Sequence, residues 1–370
     1  YIKEIAEKII KENPKLDLLD YEKNYSVIKK NSVEASMKII KDDLKKLGVS
    51  HDVFTSETEI LNKTDLKKLF LKLQNEKLIV EGYLEPPKGE EYNRLKKTKK
   101  LIFKTTLFGD DMDRALQKND GSWTYFANDI AYHSDKISRG FDELVNILGA
   151  DHTGYIKRIS AAVEALSKGE VIFKCKVCQL VKLFKEGKPY KMSKRAGEFI
   201  SANDLLSEVG KDAVRFMMLN RSNDVELDFD FNKVIEKTKD NPVFYVQYCF
   251  ARINSLFRTI DKNINDQINK QNFSEELNIY EKKLLRKIFE WPRIIENSCR
   301  KFEPHRIPFY LYDLATLFHS YWSKGNDDDK YKFISEGNIR NENTFIIINL
   351  ISIVLQNGMK ILNVSLPNKM

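Results

Sequence analysis

The spacing of apolar residues changes once along this chain, and the change divides it into two kinds of structure. Between residues 78 and 200, short runs rich in β-branched and aromatic residues alternate with amphipathic helical stretches. Beyond about residue 222, helical patterns follow one another to residue 370. Strands that alternate with helices form a sheet covered by helices, whereas successive helices form a bundle. The sequence therefore predicts an α/β domain followed by an all-α bundle, with the boundary between residues 222 and 242.

The length and charge of the chain limit the classes of protein to which it can belong. Its 370 residues suffice for two or three domains, and 42% hydrophobic with 31% charged residues is ordinary for a globular protein. The formal net charge of +8 fits an anionic partner without requiring one. The longest apolar run, residues 345–355, is too short to span a bilayer, so we expect a buried helix there and no membrane association.

The four cysteines do not have the pattern of a disulfide framework in a chain of this size, which favours a reducing, cytosolic compartment. Cys175 and Cys178 have the spacing of half a zinc site, but no second Cys pair or paired His lies nearby in the sequence. We therefore expect no protein-bound metal, and a strand with buried thiols at this position.

The segment "GADHTGY" follows a strand pattern and opens an amphipathic helix from Thr153. In an open α/β sheet, ligands bind at the carboxyl ends of the strands, where helix N-termini present their N–H groups. Asp151 and His152 are expected at that edge, and Gly149 would let a ligand approach the backbone. A polar turn capped by Thr153 explains the same residues equally well.

The segment "SWTYFANDIAYH" places Tyr125 and Asp129 where a strand-like piece runs into a helix. A carboxylate beside a phenol suits a cationic substrate, and a guanidinium best of all, because a carboxylate accepts two parallel N–H bonds from it. The alternative is an exposed Asp in the first helical turn, stabilised by the helix dipole.

The segment "KPYKMSKRAGEFIS" combines basic residues with a glycine suited to a mobile loop. Lys191, Ser193, Lys194 and Arg195 could close on a triphosphate and stabilise the negative charge that builds up in a transition state. A basic run on the surface that serves solubility is the alternative.

In the helical part, Tyr245, Tyr248 and Arg252 are spaced by three and four residues and share one helix face. Aromatic rings with an arginine suit unstacked RNA bases. A packing stripe is the alternative, and the spacing alone favours it.

The chain resembles the bacterial arginyl-tRNA synthetases of class I in six segments that occur in the family's order. They are "TYFANDIAYH", "GADHTGY", "KMSKRAG", "GKDAVRFMML", "LDFDF" and "NPVFYVQYCFAR". The resemblance implies the C-terminal part of a Rossmann-like α/β catalytic core followed by an all-α anticodon-binding bundle. Residues 1–80 would be helical connective or insertion parts of the catalytic domain, 81–232 its C-terminal half with the KMSKR loop, and 233–370 the bundle.

The resemblance also implies a role for each residue that matches a family motif. Tyr125 and Asp129 would bind the arginine side chain, and Asp151 would contact the amino acid. The nucleotide pocket would include Gly149 and His152, and the ATP phosphates would be stabilised during catalysis by Lys191 and Lys194, with Met192, Ser193 and Arg195 in the same ATP-binding loop. The anticodon would be met by Tyr245, Tyr248, Arg252 and Met370.

The implied activity is arginine–tRNA ligation in the cytoplasm, with ATP, L-arginine and tRNA(Arg) as partners, Mg²⁺ accompanying the ATP, no DNA or membrane partner, and a monomeric enzyme. The His-x-Gly-His signature of class I is absent from the sequence, and the first residue is Tyr1. We therefore expect a chain truncated at its N-terminus that is inactive alone. Two alternatives stay open: a class I synthetase of another specificity, and a non-catalytic tRNA-binding protein.

Overall fold

A computed structural model describes residues 2–14, 20–83, 99–190, 200–260, 276–335, 338–339 and 342–370. The chain divides into two compact units, and each is described by itself. The first unit combines Tyr1–Ser50, Val181–Ser222 and Leu227–Met370, and the second combines His51–Leu180 and Asn223–Glu226.

Thirteen α-helices lie in the described residues. They are α1 (Ile2–Glu12), α2 (Tyr21–Leu47), α3 (Glu57–Lys63), α4 (Leu66–Asn75), α5 (Tyr125–Ser138), α6 (Ile156–Ser167), α7 (Ala202–Val209), α8 (Lys211–Leu219), α9 (Pro242–Ile260), α10 (Ile279–Phe289), α11 (Trp291–Lys301), α12 (Arg306–Asp327) and α13 (Glu342–Leu362).

Ten short strands accompany them within the same ranges. They are β1 (Ile79–Gly82), β2 (Lys100–Phe103), β3 (Arg114–Ala115), β4 (Glu143–Gly149), β5 (Ile172–Cys178), β6 (Val181–Lys185), β7 (Lys188–Pro189), β8 (Leu227–Asp230), β9 (Ile334–Ser335) and β10 (Asn338–Ile339).

The second unit is the α/β part of the molecule. Strands β1, β2 and β3 form an antiparallel sheet, and β4 pairs with β5 in parallel, from Glu143 opposite Ile172 to Gly149 opposite Cys178. Helix α6 connects these two parallel strands, as parallel pairing requires. Apolar side chains from α4, α5, α6 and the strands form one core, and Phe70, Phe103 and Ile130 are almost completely buried in it.

The first unit contains a mixed sheet in which β6 pairs with β8 in parallel and with β7 antiparallel. Its larger part is a helical bundle whose core runs through α9, α10, α12 and α13. Helix α13 is long and apolar enough to cross a membrane by length and composition alone, but 61% of that apolar window is buried inside the protein. Helix α13 is therefore the buried core helix that the apolar run at residues 345–355 predicted.

The structure refines three local predictions. The β-rich run "KLIFKTTLF", residues 100–108, predicts one strand. Strand β2 stops at Phe103, because the Thr105 hydroxyl donates to Asp110 and the chain turns into a short 3₁₀ helix, Thr105–Phe108. The helix expected from Thr153 begins at Ile156, after a 3₁₀ segment over Ala150–Tyr155. The prediction of buried thiols was wrong, because Cys178 is exposed at the end of β5 and Cys175 is only half-buried.

Candidate functional site

Helix α5 separates its side chains into a buried and an exposed face. Its N-terminus is fixed by Thr124, whose hydroxyl oxygen accepts from the Ala127 N–H at 3.3 Å. The buried face packs into the core of the second unit through Phe126, Ala127, Ile130 and Ala131. The other face carries four polar or aromatic residues three and four positions apart, as neighbours on a helix surface are. They are Tyr125, Asn128, Asp129 and Tyr132.

These four residues form one wall of a cavity of about 340 Å³, and the start of α3 forms another. Glu57, the first residue of α3, lines the cavity and accepts a hydrogen bond from the Asn128 amide at 2.8 Å. Two carboxylates, Glu57 and Asp129, therefore share this space with the rings of Tyr125 and Tyr132. Acidic and aromatic groups together suit a ligand that is cationic and flat.

Tyr155 orients the Asp129 carboxylate. Its hydroxyl donates to Asp129 Oδ2 at 2.5 Å, and within the described residues the other carboxylate oxygen receives no hydrogen bond. Burial, followed by this bond to Asp129, raises the pKa of Tyr155 far above its ordinary value. Tyr155 thus remains a hydrogen-bond donor at physiological pH, and it leaves one oxygen of Asp129 available to a ligand.

A chain of hydrogen bonds supports α5 from behind. His133 Nδ1–H donates to the Asp129 carbonyl at 2.8 Å, and its Nε2 accepts from the Asn146 amide at 3.1 Å. Lys136 donates to Asn146 at 3.0 Å and lies 4.3 Å from the centroid of the Tyr132 ring. Burial lowers the pKa of both His133 and Lys136. The chain fixes the turn that carries Asp129 and Tyr132 against β4.

The end of β4 places Asp151 and His152 at the sheet edge where the sequence predicted them. Their side chains are exposed, and His152 Nε2 lies 3.5 Å from Asp151 Oδ2. A Cβ atom on Gly149 would lie 2.6 Å from Asp151 Oδ1, so the glycine lets this carboxylate approach the backbone. Among the described residues, Asp151 is not part of the cavity lining, but Tyr155 connects its segment with Asp129.

The predicted ATP-binding loop, Lys191, Met192, Ser193, Lys194 and Arg195, lies outside the described residues. Its flanks are described. Strands β6 and β7 form a hairpin that leads into it, and Ser201 begins α7 with a capping box closed by Asp204.

In the bundle of the first unit, α9 brings three predicted residues into one cluster with His319 of α12. Arg252 donates to the Tyr248 hydroxyl at 2.9 Å and to His319 Nδ1 at 3.1 Å. The His319 ring lies 4.4 Å from the Tyr245 ring and stacks on the Tyr248 ring at 5.7 Å, centroid to centroid. Burial lowers the pKa of His319 to about 4, so its imidazole is neutral and can accept from the guanidinium.

Arg252 also lies between two aromatic faces. Its guanidinium carbon is 4.4 Å from the centroid of the Tyr248 ring and 4.9 Å from that of the Trp322 ring. Met370 is exposed at the end of a tail that is tied to α9, because Arg258 donates to the Asn368 carbonyl at 3.0 Å. The α9 surface thus combines stacking rings with a positioned cation.

Four cavity or cluster residues were missed from the sequence. Asn128 and Tyr132 follow from the helical spacing that starts at Tyr125, so the sequence contained the signal. Glu57 and His319 come from distant segments, and only the fold brings them to these places. Within the described ranges, no group of three His, Cys, Asp or Glu side chains is placed to hold a metal ion.

Comparison with known families matches almost the whole chain to two descriptions. Residues 31–257 match "tRNA synthetases class I (R), catalytic domain", and residues 246–370 match "DALR anticodon binding domain". The first match alone covers more than half of the chain.

Curated relatives of this chain are named arginine–tRNA ligases. The arginine–tRNA ligase of Pelagibacter ubique is 50% identical over 370 residues, which is 100% of this chain and 64% of that protein. The arginine–tRNA ligase of Ehrlichia chaffeensis is 44% identical over 98% of this chain and 63% of that protein. The chain therefore spans less than two thirds of the length of these relatives.

Solved structures share the fold. A Campylobacter jejuni structure assigned as an arginyl-tRNA synthetase has a TM-score of 0.82 at 28% identity, covering 99% of this chain and 75% of its own. The Thermus thermophilus arginyl-tRNA synthetase has a TM-score of 0.70 at 16% identity, covering 96% and 68%. A Mycobacterium tuberculosis methionyl-tRNA synthetase has a TM-score of 0.63 at 11% identity, and the match covers 90% of this chain and 77% of that chain. The fold alone therefore does not specify the amino acid.

Proposed function

The chain belongs to the bacterial-type arginyl-tRNA synthetases of class I, and on this premise we propose that it serves the ATP-dependent attachment of L-arginine to tRNA(Arg). The observation that supports arginine as the substrate is the cavity of about 340 Å³ in which Glu57 and Asp129 face the rings of Tyr125 and Tyr132. Asp129 would accept the guanidinium through the oxygen that Tyr155 does not occupy.

In the proposed reaction, the arginine carboxylate attacks the α-phosphate of ATP and releases pyrophosphate, which forms arginyl-adenylate. A terminal ribose hydroxyl of the tRNA then attacks the carbonyl carbon of the adenylate, and AMP leaves. Neither step needs a side-chain nucleophile; alignment and electrostatic stabilisation suffice. Tyr125, Asp129 and Asp151 would hold arginine, and Gly149 and His152 the nucleotide.

The basic loop would complete the ATP site. Lys191 and Lys194 would stabilise the phosphates as charge moves onto pyrophosphate, with Met192, Ser193 and Arg195 shaping the loop. A Mg²⁺ ion would accompany the ATP as part of the substrate.

The bundle would bind the anticodon loop of the tRNA through Tyr245, Tyr248, Arg252 and Met370. The match to the anticodon-binding domain and the aromatic cluster on α9 support this part of the proposal. We further propose residues 1–80 as connective helices, 81–232 as catalytic and 233–370 as anticodon-binding parts of a monomeric cytoplasmic enzyme without a DNA or membrane partner.

The decisive test measures arginine binding by calorimetry, because binding can be measured in a chain that lacks the His-x-Gly-His sequence and is expected to be inactive alone. Asp129→Asn should weaken arginine binding by about 2 kcal/mol, roughly thirtyfold, since it replaces a charged acceptor of the guanidinium. Asp135→Asn is the matched control, because Asp135 is on the same helix and pairs with Arg139 at the surface.

Three outcomes separate the hypotheses. If arginine binding is lost in Asp129→Asn but not in Asp135→Asn, the result supports an arginine site. Equal arginine affinity in both variants would indicate a class I synthetase of another specificity. No arginine binding by the unmodified chain, together with RNA binding, would indicate a non-catalytic tRNA-binding protein.

A further inference from the structure

Arg158 is a half-buried cation beside Tyr155, and the described part of the chain gives it no anionic partner. It lies in the first turn of α6, and its Nε atom is buried without a hydrogen-bond partner. No carboxylate in the described ranges pairs with its guanidinium. Moving a cation out of water is unfavourable unless other groups compensate for the lost hydration. The contacts that stabilise Arg158 in this position must therefore be of another kind.

Two aromatic rings provide those contacts. The guanidinium carbon of Arg158 lies 4.9 Å from the centroid of the Tyr155 ring and 5.9 Å from that of the Phe126 ring. The two rings meet edge-on, with their centroids 6.3 Å apart. The face of an aromatic ring attracts a cation, and the attraction is stronger where water is excluded. Arg158, Tyr155 and Phe126 thus form one cluster.

Tyr155 depends on this cluster because its own segment anchors it weakly. It ends the 3₁₀ segment Ala150–Tyr155, in which no residue is fully buried, and Gly154 directly precedes it. Phe126, by contrast, is 4% exposed and stacks on Phe103 with the ring centroids 6.2 Å apart. The cluster therefore joins a weakly anchored phenol ring to the core of the second unit.

The orientation of Tyr155 matters because its hydroxyl holds the Asp129 carboxylate. This 2.5 Å bond occupies Oδ2 and leaves the other oxygen for a ligand. A binding group that its neighbours already hold in the productive geometry loses less freedom when the ligand arrives. Burial and then Asp129 raise the pKa of Tyr155, whereas the nearby charge of Arg158 lowers it. The guanidinium thus also makes the hydroxyl a better donor to Asp129.

We propose that Arg158 is a positioning residue for arginine recognition, which acts on the substrate only through Tyr155 and Asp129. The proposal rests on the arginine-binding function proposed above. Since the guanidinium donates no hydrogen bond to any described residue, the cluster uses its positive charge and not its planar array of N–H groups. A lysine should therefore replace it, whereas an uncharged side chain should not.

The test is calorimetry of arginine binding to the 370-residue chain and its variants. Arg158→Met keeps an apolar stem but removes the charge, and it should weaken arginine binding roughly twofold to fivefold. The upper limit is the roughly fivefold loss expected of Tyr155→Phe, because Arg158 contributes no more than the bond that it supports. Arg158→Lys should bind arginine within about twofold of the unmodified chain. Lys157→Met, which removes an exposed charge at the neighbouring position, is the matched control and should have no effect.

A double-variant cycle separates positioning from a direct contact or a general structural role. In a Tyr155→Phe background, Arg158→Met should cause no further loss of arginine binding, because the hydroxyl through which Arg158 acts is already absent. Urea unfolding of each variant checks that it folds. Arg158→Gln, which is uncharged but polar, repeats the cycle with a side chain that tolerates contact with water, and it should give the same result as Arg158→Met.

The outcomes distinguish this proposal from the function on which it rests. If Asp129→Asn weakens arginine binding while Arg158→Met does not, the cavity binds arginine without help from Arg158, and only this proposal fails. If Arg158→Met weakens binding equally in the Tyr155→Phe background, or if Arg158→Lys binds no better than Arg158→Met, the residue acts by another route and the proposal is overturned. If the unmodified chain does not bind arginine, both proposals fail.

Discussion

Protonation of His319 should loosen the α9 cluster, and the structure gives the size of the effect. His319 is 5% exposed, and its Nδ1 accepts a hydrogen bond from Arg252, a permanent cation. A protonated imidazole could not accept this bond and would face the guanidinium with a like charge. The folded protein therefore resists protonation at this position, which is why burial and then Arg252 lower the pKa of His319 to about 4.

The direction of the pH effect follows from linkage. The pKa of His319 is about 4 in the folded chain, against about 6.5 for the free imidazole. As the pH falls below 6.5, the unfolded chain binds the proton first, and stability decreases until the folded state is protonated near pH 4. At pH 5 the loss relative to pH 7 should be about 2 kcal/mol, and its full extent about 3 kcal/mol.

The assay is urea unfolding at pH 7 and pH 5, followed by tryptophan fluorescence in a Trp123→Phe background. This leaves Trp291 and Trp322, both in the bundle, as the reporters. His319→Gln is the comparison, because glutamine can still accept from Arg252 and does not titrate in this range. Between pH 7 and pH 5, the free energy of unfolding should fall by about 2 kcal/mol more in the protein with His319 than in His319→Gln.

One result would refute this reasoning directly. If both proteins lose stability in parallel between pH 7 and pH 5, the acid sensitivity comes from other groups and His319 is not held neutral by Arg252. An imidazole resonance of His319 that titrates above pH 6 in the folded protein would contradict it independently.

Three further changes test the second unit and the bundle core. Tyr155→Phe removes the 2.5 Å bond to Asp129, and calorimetry should show arginine binding weaker by about 1 kcal/mol. Gly149→Ala puts a Cβ atom 2.6 Å from the exposed Asp151 carboxylate, which can move. The free energy of unfolding of Gly149→Ala should change by less than about 0.5 kcal/mol. Its arginine binding should weaken as much as that of Asp151→Asn, and the variant that carries both changes should show no further loss. Gly358→Ala puts a Cβ atom 2.7 Å from a leucine of α12, and urea unfolding should show a loss of about 1–2 kcal/mol after the gain in helix propensity.

Each of these changes has a matched control in the chain. Tyr83→Phe removes a hydroxyl at an exposed site, and Gly154→Ala adds a methyl group where no atom lies within 4 Å. Asn357→Ala is an exposed change on α13 beside Gly358. An effect in a control equal to that in its partner would show that the interaction named is not the cause.

The sequence predicted the kinds of elements well because their signals are local. The helical pattern before residue 80 is confirmed by α1 to α4, and the apolar run at 345–355 forms the centre of α13. The long helical run near residue 290 is divided into α10 and α11, with Pro292 in the first turn of α11. Proline lacks the N–H that a continuous helix would need, so this division could also have been predicted from the sequence.

The sites were only half predictable, because a site also depends on residues that are far apart in sequence. Tyr125 and Asp129 stand on one helix and could be paired from their spacing. Glu57 reaches the same cavity from α3, and Tyr155, from the segment after β4, donates a hydrogen bond to Asp129. The sequence contains no local signal that connects His319 with Arg252, which lies 67 positions away.

The motif "DAVR" shows how a signature can mark a fold without touching the substrate. Arg215 donates to the Leu362 carbonyl at 2.6 Å and to the Leu47 carbonyl at 3.2 Å, which joins α8 to the C-terminal ends of α13 and α2. Asp212, three residues earlier on the same face of α8, accepts from the Ser365 N–H at 3.1 Å and from Gln247 of α9 at 3.2 Å. Carbonyls at helix ends lack intrahelical partners, so a guanidinium there satisfies groups that would otherwise lose hydrogen bonds. The Asp-x-x-Arg spacing therefore fixes how α8, α9 and the end of the chain are joined, while the proposed RNA contacts lie on another face of α9.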